Sequence, residues 1–394
     1  MIAAPASKSR VFVFAAALGM ALSAVSPAHA AIAALLVDLN SKEITPIGPM
    51  GGSAAYPTAI NNAGQVVGYY FNTPTTTAAH AFMTGPNGVG LTDLGTLGGI
   101  ASYAFGINDA GQVVGRSNAA GSDRWTYPFI TGPNGVGMTR LGTLGGGNNV
   151  LDGATGINAS GQVVGQSALP TLENHAFITG PNGIGMTDLG TFGDGATSEA
   201  LAVNDAGRVV GTSTVGVAGD RPYAFITGPD GVGMTFLGTL GGPDSVPYGI
   251  NETGQVVGNS DTRSGEQHAF ITGPNGVGMT DLGALGGWFS FGAGINDAGR
   301  VVGGYSVADG GPLNNHAFIT GPDGISITDL TSLISPPSGF SWENALGINN
   351  HDQIIVIATS IPEPETYVLV LAGLVLVSTM VQRKLSDDIP TATE

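Results

Sequence analysis

The chain has 394 residues, no cysteine, a formal net charge of −17 and a sequence pI of about 4.4. The absence of cysteine excludes disulfides, thiol catalysis and cysteine-based zinc sites. Only eight basic residues lie between residues 31 and 361, without a cluster, so a nucleic-acid partner is not expected. A hydrophobic content of 42% in a regular pattern argues against disorder.

The N-terminus has the three parts of an export signal. Lys8 and Arg10 precede an uncharged apolar stretch at residues 11–25, and Ala28 and Ala30 form a small-x-small cleavage site. This order predicts a secretory signal peptide over residues 1–30, which is removed from the mature protein. An uncleaved membrane anchor is the alternative.

Two sequence blocks alternate along the rest of the chain. The first is GINDAGQVVG at Gly106–Gly115, and the second is HAFITGPNGVGMTDLGALGG at His268–Gly287. A degenerate copy of the second block opens the mature chain at Ala33–Gly52. Seven copies of each block fill most of residues 33–360, and a period in the forties predicts a propeller or a solenoid. The asparagine of the first block falls at Asn61, Asn108, Asn158, Asn204, Asn251, Asn296 and Asn349.

Each block is predicted to form a β-hairpin. In the first, Asn108 to Gly111 suits a type I turn whose last residue, a glycine, takes a positive φ. In the second, Gly132-Pro133-Asn134-Gly135 is predicted to form the same turn, with Pro133 fixing φ at the second position. Two hairpins per repeat give four short strands.

The predicted strands are apolar on both faces. Adjacent apolar residues in QVVG and in AFIT point to opposite sides of a strand, so both sides need cover. Neighbouring blades of a propeller supply such cover. We therefore predict an all-β fold, a seven-bladed β-propeller of four-stranded blades over residues 31–360. A β-solenoid is the main alternative, because the period alone permits it.

The last repeat carries two further predictions. The final hairpin, Ala345–Ser360, is predicted to pair with the first, Ala34–Ile47, in one composite blade; the alternative places each blade in one contiguous segment. Asp352 stands where glycine recurs in the other copies, so this turn is predicted to be looser or of another type.

The repeats resemble a known family. The triplet His80-Ala81-Phe82, the DLGTLGG block and the GIN-x-x-GQVVG block are similar to those of the HAF family of extracellular repeats. The resemblance covers about 330 residues and implies an extracellular repeat protein, without implying an activity. The triplet recurs at His175, His268 and His316.

The C-terminus begins with Pro362-Glu363-Pro364 and ends with the basic pair Arg383-Lys384 and a tail at 385–394. Between them, residues 367–381 form an uncharged apolar run of about 22 Å as a helix, at ~1.5 Å per residue. This length is short of the ~30 Å hydrocarbon core, so we predict a short transmembrane helix with local bilayer thinning. The positive-inside rule places the basic pair and the tail in the cytoplasm. A buried helix of the globular domain is the alternative.

These C-terminal elements, over residues 361–384, resemble the PEP-CTERM sorting signal of exported proteins. The resemblance implies a Gram-negative bacterium that makes exopolysaccharide, and recognition of the triplet by the membrane protease exosortase. It further implies an intermediate anchored in the inner membrane, which is then released to the cell surface or the extracellular matrix. The family usually ends within a few residues of the basic cluster, whereas ten residues follow Lys384 here.

The titratable residues of the repeats are predicted to be structural. Four histidines share one repeat position with tyrosines, which favours packing or hydrogen bonding over metal ligation: His80, His175, His268 and His316, with Tyr127 and Tyr223. Four aspartates share another position with unrelated residues, which favours an exposed strand site: Asp93, Asp188, Asp281 and Asp329, with Arg140, Phe236 and Pro46. No calcium-loop motif is present. We predict no cofactor and no metal, with calcium kept as an alternative.

No catalytic motif stands out in the repeats. There is no Ser-His-Asp motif, no His-Glu-x-x-His and no phosphate-binding loop. The chain is therefore predicted not to be an enzyme. A propeller hydrolase with a pair of axial carboxylates is the alternative.

The connections between QVVG and HAF differ most between the copies, and variable loops on a regular scaffold are where recognition usually resides. Aromatic faces beside polar groups suit sugar rings, and packing of each aromatic on its own blade is the alternative. The candidate ligand-binding residues in these loops and a second set of loops are Tyr69, Tyr70, Arg124, Trp125, Arg221 and Trp288.

The sequence thus predicts an exported surface or matrix protein associated with exopolysaccharide or biofilm. Its predicted partners are exosortase, extracellular polysaccharide and, transiently, the inner membrane. The alternative function is a carbohydrate-binding module with its site on the variable loops.

Overall fold

A computed structural model describes residues 32–48, 55–71, 78–122, 124–146, 152–194, 196–216, 221–307, 315–322 and 324–361, with positions 373 and 376–378. The chain divides into two compact units. One is Ile32–Thr359, and the other joins Met1–Ala31 with Ser360–Glu394. In the second unit, the described positions after Ile361 are helical.

The predicted targeting segments fall in the second unit. The signal peptide with Ala28 and Ala30, the residues of the sorting signal, and the tail at 385–394 lie outside the described residues. Most of the predicted transmembrane run at 367–381 lies outside them as well. Among the residues that are described, no helix is long and apolar enough to cross a membrane. The residues of the sorting signal are Pro362, Glu363, Pro364, Arg383 and Lys384.

The unit Ile32–Thr359 is built from short β-strands, and β28 extends one residue beyond it. In chain order they are β1 (Ile32–Asp38), β2 (Ile44–Pro46), β3 (Ala55–Ile60), β4 (Val66–Phe71), β5 (Ala79–Met83), β6 (Thr92–Asp93), β7 (Gly98–Ile107), β8 (Val113–Ala119), β9 (Thr126–Thr131), β10 (Met138–Arg140), β11 (Gly153–Ile157), β12 (Val163–Ala168), β13 (Asn174–Thr179), β14 (Met186–Gly190), β15 (Ser198–Val203), β16 (Val209–Ser213), β17 (Tyr223–Thr227), β18 (Met234–Phe236), β19 (Gly241–Ile250), β20 (Val256–Thr262), β21 (Gln267–Thr272), β22 (Met279–Gly283), β23 (Phe289–Ile295), β24 (Val301–Ser306), β25 (Asn315–Thr320), β26 (Ile327–Asp329), β27 (Phe340–Ile348) and β28 (Gln353–Ser360). Single 3-10 turns lie at Pro86–Gly88, Pro133–Gly135, Pro181–Gly183, Pro229–Gly231, Pro274–Gly276 and Leu330–Ser332.

The strands form antiparallel sheets in chain order. Four sheets of four strands are β3–β6, β7–β10, β11–β14 and β15–β18. Strands β19–β26 form one eight-stranded sheet, whose β19–β22 and β23–β26 halves are joined through the parallel pair Gln267 and Phe289. Each hairpin of the repeat thus supplies two neighbouring strands, as the turn pattern predicts.

The remaining sheet joins the two ends of this unit in the order β2-β1-β28-β27. Strand β28 pairs antiparallel with β1 from Ile32 opposite Thr359 to Asp38 opposite Gln353. This is the composite sheet that the sequence predicts.

We call the strand that begins each GINDAGQVVG-type hairpin the first strand of its four-stranded unit, and the first strands contact one another in a closed circle. In chain order β3, β7, β11, β15, β19, β23 and β27 each contact the next, and β27 contacts β3. The unit therefore has a propeller-like fold, whereas a solenoid would leave its first and last repeats apart.

The apolar side chains lie between neighbouring sheets. On β8, Val113 packs against Val67 and Met83 of the preceding sheet, while Val114 packs against Ile157 of the following one. Covering both faces removes a full apolar side chain from water, which contributes about 1.5–3 kcal/mol for each. The phenylalanine of the second block is fully buried in six copies: Phe82, Phe129, Phe177, Phe225, Phe270 and Phe318.

The recurring asparagine links each sheet to the next. Asn158 Nδ2 donates to Gln162 Oε1 in its own hairpin at 2.7 Å and to Asn204 O of the following sheet at 3.0 Å. Its Oδ1 accepts from Gln162 N at 2.9 Å. The same sheet-to-sheet bond repeats all round and closes with Asn349 Nδ2 donating to Asn61 O at 3.0 Å.

The first turn of the repeat forms as predicted, with Gly111 at φ +73° and its N–H donating to Asn108 O at 2.9 Å. The predicted type I turn of the second block is wrong. Asn134 and Gly135 both have positive φ, +55° and +70°, and Val136 N donates to Pro133 O. This is the pattern of a type I′ turn, whose twist matches that of a hairpin and which favours Asn-Gly at its centre.

The prediction for Asp352 is also wrong. Asp352 adopts φ +59° and its N–H donates to Asn349 O at 3.2 Å, so the turn keeps the geometry of the glycine copies. Aspartate tolerates the left-handed region better than most residues. Its carboxylate also accepts from Asn296 Nδ2 at 3.1 Å.

Candidate ligand-binding site at the inner ring

A β-bulge recurs at the same position in the first strand of six four-stranded units, with the two halves of the eight-stranded sheet counted separately. The register shifts between Ala104 and Gly106 on β7, and at the corresponding point of β3, β11, β15, β19 and β23. Bulges often re-aim side chains next to functional sites. The extra residues are Thr58, Phe105, Thr155, Leu201, Tyr248 and Ala293.

The glycine of QVVG lies opposite the bulge because the two strands approach closely there. A Cβ on Gly115 would collide with Tyr103 O, and one on Gly165 would collide with Gly153 O. The same collision would occur at Gly68, Gly211, Gly258 and Gly303. The spacing of the first two strands therefore depends on these glycines.

One residue of each bulged first strand lies two positions before the extra residue of the bulge, and it faces a partner on the second strand. We call these residues and their cross-strand partners the inner ring. Because the first strands form a closed circle, these residues occupy equivalent places around it. The first-strand members are Tyr56, Tyr103, Gly153, Glu199, Val246 and Phe291, with Asn344 at the matching sequence position of β27. The partners are Tyr69, Arg116, Gln166, Thr212, Asn259 and Gly304, respectively, for the first six.

One side of the inner ring is aromatic. Tyr56 and Tyr69 stack with ring centroids 5.2 Å apart, and Tyr69 meets Tyr103 edge-on at 5.1 Å. The guanidinium of Arg116 lies over Tyr103 at 5.0 Å and over Phe105 at 5.5 Å. Burial raises the pKa of Tyr69, and Tyr56 and Tyr103 raise it further. Aromatic rings and one cation thus share a partly buried surface.

Beside this aromatic surface the ring has a gap, because Gly153 has no side chain. A cavity of about 180 Å³ opens there, lined by Phe105, Arg116, Gly153, Ala154, Thr155, Gln166 and Glu199. Burial raises the pKa of the Glu199 carboxyl, and the charge of Arg116 opposes that rise. Arg116 Nε is buried and has no hydrogen-bond partner among the described residues.

Other unpaired polar atoms occupy equivalent places in the inner ring. Asn259 Oδ1 and Asn344 Oδ1 are buried and lack a hydrogen-bond partner within the described part of the chain. Buried polar atoms are normally paired, so unpaired ones require an explanation such as a ligand or water. Three of the five such atoms, including Arg116 Nε, belong to this ring.

A second aromatic group follows on β23. Phe291 of the inner ring lies 6.4 Å from Tyr248 and 5.8 Å from Phe289, and Phe289 contacts Trp288 at 5.9 Å. Trp288 is 59% exposed, so this group reaches the surface.

The structure separates the candidate residues predicted from the loops. Tyr69 belongs to the inner ring, whereas its neighbour Tyr70 is buried and donates its hydroxyl to Asp93 at 3.0 Å. Burial, followed by the hydrogen bond to Asp93, raises the pKa of Tyr70 to about 12. The Tyr70 hydroxyl is thus engaged within the protein.

The other predicted candidates lie in separate loops. Arg124 stacks over Trp125 at 4.7 Å, and Arg221 pairs with Asp244 at 3.2 Å. Sequence reasoning missed Glu199 and did not single out Arg116, since nothing in a single repeat shows which copies face one cavity.

The recurring histidines pair with the recurring aspartates. His80 Nδ1 lies 2.9 Å from Asp93, and the same pair recurs in three other repeats. Where the histidine is Tyr127, the partner is Arg140, stacked at 3.5 Å; where it is Tyr223, the partner is Phe236 at 5.4 Å. No group of metal ligands is found among the described residues.

No protein-family model and no curated protein matches the sequence. Solved structures show similarity in fold. The β-propeller domain of the Trilobed protease from Pyrococcus furiosus is 9% identical with a TM-score of 0.51, over 78% of this chain and 92% of that one. An oligogalacturonate lyase from Vibrio parahaemolyticus is 9% identical with a TM-score of 0.48, over 85% and 99%. TolB from Acinetobacter baumannii is 12% identical with a TM-score of 0.43, over 70% and 69%.

The similarity to the Pyrococcus furiosus domain supports the all-β, propeller-like fold that the strands show, and it establishes no activity. It also corrects one prediction. The Pyrococcus furiosus domain belongs to a protease, so this fold occurs in enzymes. The prediction that the chain is not an enzyme rested on missing motifs alone, and it is wrong. The two-carboxylate hydrolase is not favoured, because Glu199 is the one carboxylate among the residues lining the cavity.

Proposed function

We propose that the chain is an exported, seven-bladed propeller protein that binds polysaccharide through the inner ring. The observation that carries this proposal is the cavity at Gly153, where aromatic rings, a cation and a carboxylate lie together. Aromatic faces bind the apolar faces of sugar rings, and convergent polar groups fix their orientation.

The sequence adds the cellular setting of this proposal. The signal peptide and the PEP-CTERM-like C-terminus support export, processing by exosortase and residence in an extracellular polysaccharide matrix. The acidic composition favours solubility there and limits adhesion to anionic lipid.

Binding is tested with exopolysaccharide purified from the native host. We expect saturable binding by calorimetry, and a loss of about tenfold or more in affinity when Tyr69 and Tyr103 are both replaced by alanine. The control is Phe236→Ala, which removes a 47%-exposed aromatic residue from an outer strand. Equal affinities of the wild type and the double variant would contradict the proposed site.

Processing is tested by mass spectrometry of the extracellular protein from the native host. The expected mature form begins near Ala31 and lacks the residues after the Pro-Glu-Pro triplet. An extracellular form that retains residues 361–394 would contradict processing by exosortase, and would leave the binding proposal standing.

A further inference from the structure

Two opposite charges reach the cavity from sheets that are not adjacent. Arg116 lies on β8 and Glu199 on β15, while the sheet between them contributes Gly153, Ala154 and Thr155 from β11 and Gln166 from β12. The gap in the middle sheet therefore lets an arginine and a glutamate line the same space. No ion pair or hydrogen bond joins the two among the described residues.

Both groups retain unused hydrogen-bonding capacity. Arg116 presents a guanidinium, held over Tyr103 and Phe105, whose Nε–H has no acceptor in the described chain. Glu199 presents a carboxylate that is mostly removed from solvent. A buried charged group without a partner is costly, so a ligand that pairs with both is favoured.

The charges at the cavity also select the ligand. An anionic ligand would gain from Arg116 but be repelled by Glu199, and a cationic ligand would meet the reverse. A hydroxyl group both donates and accepts, so neighbouring hydroxyls can accept from Arg116 and donate to Glu199. The aromatic rings beside Arg116 supply an apolar wall.

The cavity size limits how much of a ligand enters. About 180 Å³ is below the ~300–1,000 Å³ of pockets that enclose a drug-sized molecule. The space therefore suits one ring rather than an oligomer.

We infer that the cavity binds a single neutral hexose unit of a polysaccharide, with its hydroxyls bridging Arg116 and Glu199. This inference rests on the proposed function and adds the ligand class: uncharged sugars rather than uronates or amino sugars. Glu199 opposes the binding of uronates and Arg116 opposes the binding of amino sugars, whereas neutral hydroxyls pair with both residues.

The experiment measures binding of three kinds of trisaccharide to the purified protein by calorimetry. The panel contains gluco-, manno- and galacto-configured neutral trisaccharides, their counterparts oxidised to uronates at C6, and a glucosamine trisaccharide. We expect the wild type to bind at least one neutral trisaccharide about tenfold more tightly than its uronate counterpart and than the amino sugar.

The variants assign this preference to the two residues. Glu199→Gln is expected to weaken neutral binding by about tenfold and to strengthen uronate binding by a similar factor, which reverses the preference. Arg116→Gln is expected to weaken neutral binding by about tenfold and to strengthen binding of the amino sugar. The control is Glu173→Gln, which removes the same charge from the loop between β12 and β13 without lining the cavity.

The outcomes separate this inference from the proposed function. If the wild type prefers uronates or the amino sugar, or if Glu199→Gln behaves like Glu173→Gln, the inference is overturned and polysaccharide binding stands. If neither trisaccharides nor host exopolysaccharide binds the wild type, both are overturned. Thermal unfolding of each variant checks that it is folded, and the ligand preference of the wild type decides the inference without any variant.

Discussion

The recurring asparagine of each repeat accepts a hydrogen bond within its own turn and donates one to the next repeat, so it ties two sheets together. The sequence indicated only its role in a turn, because Asn is common at the first turn position. Its second role becomes visible when Asn158 Nδ2 is seen to reach Asn204 O, which belongs to the next repeat. The pattern alone contained no information on which backbone group a side chain would meet across a sheet boundary.

Asn158→Ala is expected to lower the free energy of unfolding by about 1–3 kcal/mol, because it leaves buried backbone groups without their partners. Urea unfolding followed by circular dichroism measures the change. Asn62→Ala, at a partly buried position in the equivalent turn of another sheet, is the control and should cost less than about 1 kcal/mol. Equal effects of the two changes would show that the sheet-to-sheet hydrogen bonds of the recurring asparagines do not stabilise the fold.

The His-Asp pairs could have been predicted from the sequence. The two positions change together between copies, from His80 with Asp93 to Tyr127 with Arg140. Taken separately, each position suggested only that it tolerates different residue types. Their joint change indicates that the two side chains contact each other.

One of these pairs makes stability depend on pH. Asp329 accepts hydrogen bonds from Tyr305 Oη and Thr331 N, each at 2.6 Å. Burial alone would raise the pKa of Asp329, but these hydrogen bonds, with the nearby His316, lower it overall. A depressed folded pKa stabilises the protein above the unfolded pKa of ~3.9, and this stabilisation is lost as pH falls through the folded value.

Asp329→Asn is therefore expected to destabilise the protein at pH 5, with a difference from the wild type that shrinks steadily toward pH 2.5. Urea unfolding across this range measures it. Tyr305→Phe removes one of the donors and should show a smaller change of the same sign. A difference that stays constant with pH would refute the role of the Asp329 carboxylate.

At the scale of the element, the hairpin of the first two strands is set by a bulge facing a glycine. The sequence showed the recurring glycine but not that it lets its strand approach the partner strand of the same sheet. The bulge itself was not predicted. An extra residue normally interrupts the alternation of polar and apolar residues along a strand, and this alternation is absent where both faces are apolar. Tyr69 and Tyr70 are adjacent on β4 and therefore lie on opposite faces, but this alternation did not show which of the two joins the inner ring.

Gly211→Ala is expected to lower the free energy of unfolding by ~1–3 kcal/mol, because the new Cβ would collide with Glu199 O and push the strands apart. It should also weaken carbohydrate binding, since Glu199 lies on the displaced strand. Gly142→Ala, where a Cβ meets nothing within 4 Å, is the control for both measurements. Unchanged stability of Gly211→Ala would contradict the close approach.

At the scale of the whole unit Ile32–Thr359, the period and the hairpin pairs in the sequence predicted the propeller and its composite sheet. They could do so because pairing of neighbouring strands is local and repeats identically. The cavity was not predictable in the same way. It depends on three repeats that differ at one position each, Arg116, Gly153 and Glu199, and on the circle that brings them together.

Ring closure is tested with a chain that begins at residue 49 and therefore lacks β1 and β2. Strand β28 would then have an unpaired edge, and the cluster around Ile354 and Val356 would lose Leu35 and Val37. We expect self-association in light scattering and a broader urea transition than that of the complete protein. Adding a peptide of residues 32–48 should restore the monomer; a truncated chain that is monomeric and unfolds unchanged would refute the role of closure.

The gap at Gly153 has a consequence for how such a molecule could change its ligand. The backbone around the inner ring is the same in each repeat, so replacing one bulky side chain of the ring by glycine would open a pocket there. The side chains on either side of that pocket would then determine which ligand it binds. Removing Tyr103 or Phe291 instead would open a compartment with different walls. New recognition could thus arise by subtraction, without altering the scaffold that carries it.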